Sequence, residues 1–63
     1  MVDKEKVLNA VTKEPASTRE IAKKLGLNWY VAYIKLTELA LENKIERIEV
    51  NRYTFWRKKN GNN

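Results

Sequence analysis

Apolar residues between positions 3 and 13, DKEKVLNAVTK, fall at Val7, Leu8, Ala10 and Val11 and keep to one side of a helix. Asp3 stands before them as an N-cap. Pro15 stops the helix, because the residue before proline is pushed out of the helical region. A second helix follows in STREIAKKLG. Ser17 and Glu20 form an S-x-x-E capping box. Ile21, Ala22 and Leu25 make its apolar face, and Gly26 occupies the place of a left-handed C-terminal residue. Leu27 then turns inward and Asn28 caps a third helix over Trp29–Glu42, which Asn43 ends.

The remaining pattern changes period. KIERIEV and YTFWRKK alternate with period two about a two-residue turn at Asn51–Arg52. That turn sets Val50 opposite Tyr53, Ile48 opposite Phe55, and Glu46 opposite Arg57. Arg47 then faces Trp56 across the other side of the hairpin, within reach of a cation–π contact. Ile48, Val50 and Phe55 are expected to face the core. Ala16, in the extended link EPA, can pair as a stub of strand against the hairpin. The reading gives a single domain over residues 1–59. The last four residues, NGNN, carry no apolar group and are expected to be disordered.

Composition narrows the chemistry. A chain of 63 residues holds one small core, with a net stability of roughly 3–9 kcal/mol. Cysteine and histidine are both absent, which removes thiolate metal sites and the commonest general base. The acidic residues are scattered among basic ones and form no paired-carboxylate site. A binding protein is therefore expected rather than an enzyme, with no catalytic residue, metal, cofactor or small-molecule substrate. No apolar run approaches the ~20 residues of a membrane span, and the N-terminus lacks a signal-peptide core. An intracellular, cytoplasmic protein is expected, nucleoid-associated in a prokaryote. The net charge of +5 points to an acidic partner, nucleic acid first.

The order helix, helix, turn, helix, hairpin resembles a winged helix-turn-helix DNA-binding domain. The residues that carry the resemblance are STREIAKKLGLN, then Leu36 and Leu39, then NKIERIEV, and it spans residues 4–58. As a short single domain the chain is similar to the stand-alone regulators of archaea and their viruses and plasmids. The resemblance implies an α+β, mainly α fold of three helices followed by a two-stranded β-hairpin wing. It places Ala32, Leu36 and Leu39 in the core. It also implies a transcriptional regulator that binds double-stranded DNA with full or partial sequence specificity. The third helix would lie in the major groove, and the wing on the neighbouring minor groove or backbone.

One departure stands out. The outward face of the third helix carries Tyr30, Ile34, Thr37 and Leu41, with Tyr33 beside it, where the family usually shows arginine, lysine, serine or threonine. On the DNA reading, Tyr30, Tyr33 and Thr37 face the groove with apolar and hydroxyl contacts. Asn28 either pairs with adenine or only caps the helix. Trp29 either packs on a thymine methyl or folds back over Leu36 and Ala40. The alternative is a protein interface: Tyr30, Ile34 and Leu41 bind a partner helix, or a second copy to form a homodimer. A third outcome tucks Ile34 and Leu41 under the rest of the domain.

Charge is distributed unevenly along the chain. Residues 1–16 are neutral, 17–27 carry +2, 28–43 carry −1, and 44–63 carry +4. The phosphate anchors are therefore expected on the second helix and the wing. Thr18 and Arg19 open the second helix, whose N–H groups suit a phosphate. Arg52 at the wing tip either enters a minor groove or is a solvated turn residue. Arg57, Lys58 and Lys59 either grip phosphate or form a solubilising tail, and Lys23 and Lys24 read equally as a wet helix face. Single-stranded nucleic acid stacked on Tyr53 and Trp56 is a further reading.

Overall fold

The computed structural model describes residues 3–59. In chain order it contains α1 (Lys4–Ala10), β1 (Ala16–Ser17), α2 (Thr18–Leu25), α3 (Trp29–Leu41), β2 (Ile45–Val50) and β3 (Tyr53–Lys58). Residues 60–63, expected to be disordered, lie outside the described part.

Local chemistry sets the helix ends. The Asp3 carboxylate accepts from the N–H of Glu5 at 3.0 Å. Ser17 and Glu20 complete both halves of the capping box, at 2.9 and 3.1 Å. Gly26 takes φ 68° at the end of α2, and Asn43, just past α3, takes φ 63°. Helix α1 is shorter than its apolar spacing suggests: Val11 is already extended. Its side chain is buried all the same, and the carbonyl of neighbouring Thr12 accepts from the N–H of Lys58 at 2.6 Å. The chain leaves the helix there to join the end of the sheet. Ser17→Ala removes one capping bond and is expected to destabilise the domain by about 1 kcal/mol, read as a lowered urea midpoint at unchanged slope.

The sheet corrects the expected architecture. It is three-stranded and antiparallel, in the order β1-β3-β2, rather than a two-stranded wing placed after three helices. Ala16 pairs with Trp56 and Ser17 with Phe55, so β3 is the central strand. The fold is a small α+β one in which the first strand precedes the helix-turn-helix segment. Between β2 and β3 the register is as expected, from Val50 opposite Tyr53 to Glu46 opposite Arg57. The turn puts only Asn51 at positive φ (58°) and not Arg52, which excludes a type I′ turn.

The facing of the hairpin is the reverse of the expected one. Ile45 and Trp56 enter the core, while Val50 is exposed and Ile48 and Phe55 are half-buried on the outer side. Trp56 decides this, at 0 % exposure the largest fully buried side chain. Its indole Nε1 donates to the hydroxyl of Thr18 at 2.7 Å, so the one polar atom of the ring is satisfied where it is buried. Arg47 shares the inner face. Its guanidinium lies 5.8 Å from the ring centroids of both Tyr33 and Trp56, close enough for cation–π attraction. The core is completed by Val7, Val11, Ile21, Leu36 and Leu39, with Leu8, Leu25, Leu27 and Tyr33 packed around it.

Ion pairs join α1 to the C-terminal half of α3. Lys4 bonds Glu42 and lies near Glu38. The Lys4 hydrogen bond holds the Glu42 carboxyl below its ordinary range and raises the Lys4 ammonium in return. Lys35 and Lys44 pair with Glu38 and Glu42.

Candidate nucleic-acid interface

These ion pairs sort the cations. Lys4, Lys35, Lys44, Arg47 and Arg57 are engaged with carboxylates. Among the described residues, Arg19, Lys23 and Lys24 on α2 and Arg52 at the hairpin tip have no such partner, and neither do Lys6, Lys13, Lys58 and Lys59. Arg19 and Arg52 lie on distant stretches of sequence, yet they line one cleft of ≈ 280 Å³. Its other walls are Ser17, Thr18, Trp29, Tyr53 and Thr54, so no carboxylate borders it. The capping box fixes the α2 side of this cleft, the hairpin turn fixes the Arg52 side, and the first residue of α3 forms its third wall. Lys23 lies one helical turn from Arg19.

The expected DNA-facing residues do not all fall here. Thr18 lines the same cleft, but its side chain is only 3 % exposed and its hydroxyl is held by Trp56. Its side chain is therefore not available to a phosphate. Asn28 is a cap: its Oδ1 accepts from the N–H of Tyr30 at 2.8 Å. Tyr33 is drawn into an aromatic cluster, stacked on Trp29 with centroids 5.0 Å apart and edge-on to Trp56 at 6.0 Å. The Thr37 hydroxyl is buried and has no hydrogen-bond partner among the described residues. Tyr30 remains open, at the same end of α3 as Trp29.

The basic end of β3 forms a separate group. The Arg57 Nε donates to Glu46 at 2.6 Å, and Lys59 reaches the side chain of Asn43 at 3.4 Å. The exposed Lys58 lies five residues along the strand from Tyr53, about 17 Å at the usual rise. Trp56, expected as a stacking surface for single strands, is closed off inside the core. The stack of Trp29 on Tyr33 adds to the expected arrangement. The spacing of four between the two rings is the one signal that could have shown it.

The outward stripe of α3 is present in part, without Thr37 and Tyr33. Tyr30 and Ile34 are exposed, and Leu41 is 79 % exposed. No helix is long and apolar enough to cross a membrane among the described residues, and none of those residues form a cluster of three or more metal-ligating side chains.

No curated protein and no solved structure gives a significant match to the chain. A family model, described as FaeA-like protein, matches residues 3–60, nearly the whole sequence. With its capping box, turn glycine and sheet all inside that match, the chain belongs to the FaeA-like protein family.

Proposed function

We propose that this protein binds double-stranded DNA and acts as a small transcriptional regulator. The observation that carries the reading is the shared cleft of Arg19 and Arg52. Two exposed arginines without carboxylate partners line the same cleft, while five other cations are tied up in ion pairs elsewhere. Membership of a family of winged-helix-like regulators supports it. Helix α2 and the hairpin tip hold phosphates on either side of the start of α3, and Tyr30 meets the groove between them. Base discrimination is modest, because α3 presents no arginine fork to guanine.

The test is a salt titration of binding to a mixed-sequence duplex, followed by fluorescence anisotropy of labelled DNA. Arg19→Ala combined with Arg52→Ala is expected to weaken binding and to reduce the slope of log K against log salt by about 2, one for each phosphate no longer neutralised. Arg57→Ala, whose guanidinium is already paired with Glu46, is expected to do much less. Unchanged affinity and slope in the double variant would reject this interface.

A second reading rests on the exposed stripe of Tyr30, Ile34 and Leu41. An apolar row of this kind on a helix is suited to a protein partner, most simply a second copy. Sedimentation of Ile34→Glu beside the wild type decides it: a dimer of undiminished strength in the variant removes α3 as the interface.

A further inference from the structure

Two aromatic rings accompany the two arginines of the cleft. Trp29 is 50 % exposed and Tyr53 is 68 % exposed, and both line it. The plane of Trp29 is fixed from behind. Its indole lies nearly parallel to Tyr33, at an interplanar angle of 7°, and Tyr33 is braced edge-on by the buried Trp56. One face of the indole is thus covered, while the residue keeps half of its surface exposed and lines the cleft. Bases stack on such held rings whatever their identity. The cleft, at ≈ 280 Å³, is slightly smaller than ordinary ligand pockets and suits a single ring system. A base inside a duplex cannot use it, because its own two faces are covered by its neighbours; it must first leave the stack.

We propose that this cleft takes one unpaired nucleotide of a DNA strand, its base on the exposed surface of Trp29 and its phosphate between Arg19 and Arg52. The inference rests on the DNA-binding reading above and extends it. The protein then favours DNA that carries an extrahelical base over a fully paired duplex of the same sequence.

The experiment compares a blunt duplex with the same duplex carrying one extrahelical adenine. Affinity is read by anisotropy and tryptophan emission is followed in parallel. Trp56 is sealed in the core, so a change in quenching reports Trp29. The expected result is about tenfold tighter binding of the bulged DNA, within what one base–aromatic stack supplies, together with quenched emission. Trp29→Leu removes that gain and Trp29→Tyr restores much of it. Equal affinity for the two DNAs, a gain that survives Trp29→Leu, or emission unchanged by the bulged duplex each overturns the proposal. The emission result needs no variant, so it stands even if Trp29→Leu folds poorly. Binding of the blunt duplex with no gain from the bulge defeats the cleft alone. Failure of both DNAs to bind defeats the DNA-binding reading as well.

Discussion

Trp56→Ala is expected to remove a large share of the domain's stability. Removing a fully buried tryptophan costs about 3–5 kcal/mol, against a total of roughly 3–9 kcal/mol for a domain of this length. The ring is 0 % exposed and holds three neighbours at once: Thr18 through its N–H, Tyr33 at its edge and Arg47 over its face. Circular dichroism with urea titration checks it. A variant that retains the wild-type midpoint would mean the indole is not the keystone of the core. Thr18→Val separates the hydrogen bond from the packing. It strands the buried indole N–H and is expected to cost about 1–3 kcal/mol, well short of the loss of the ring.

The second large effect contrasts two leucines on one helix. Leu36 is fully buried and Leu41 is 79 % exposed. Leu36→Ala is expected to destabilise by about 2–5 kcal/mol through lost transfer energy and a residual cavity. Leu41→Ala is expected to stay within about 0.5 kcal/mol. Paired thermal melts test the orientation of α3 directly. Comparable losses at both positions would show that the outer stripe is covered in solution, either by a second copy or by the rest of the chain.

The caps, and the boundaries of α2 and α3, were legible in the sequence because their causes are local; the early end of α1 at Ala10 was not, since it follows from the chain joining the sheet. A serine three residues before a glutamate, a glycine after the last apolar position and asparagines at the breaks act within one turn of chain. The register of the hairpin was legible for the same reason, since its two-residue turn fixes every later pair. The facing of the hairpin was not. Alternation separates two faces without saying which is buried, and counting apolar residues favoured the one with Ile48, Val50 and Phe55. What reversed it was a partner 38 residues away, the hydroxyl of Thr18, which lets a tryptophan be buried without an orphaned N–H. Arg47 disguised the inner face further, because a charged residue there reads as solvent-facing although its guanidinium lies over two rings. The strand Ala16–Ser17 is two residues long and carries no period of its own, yet the extended link EPA suggested the pairing of Ala16 with the hairpin that the sheet shows. The cleft was hidden, as the facing was: Arg19, Trp29 and Arg52 belong to three elements that only the folded sheet brings together.

The middle strand of the sheet has a consequence for how the chain is made. Both β1 and β2 hydrogen-bond to β3, and β3 is the last of the described elements to be synthesised. While the ribosome is still adding residues before Trp56, the helices have no ring to close over and the two outer strands have nothing to pair with. Long-range pairing of this kind is slow to nucleate and gains nothing until both ends are present. The nascent chain should therefore gain protease resistance in one step, after β3 has cleared the exit tunnel, and not helix by helix as it emerges.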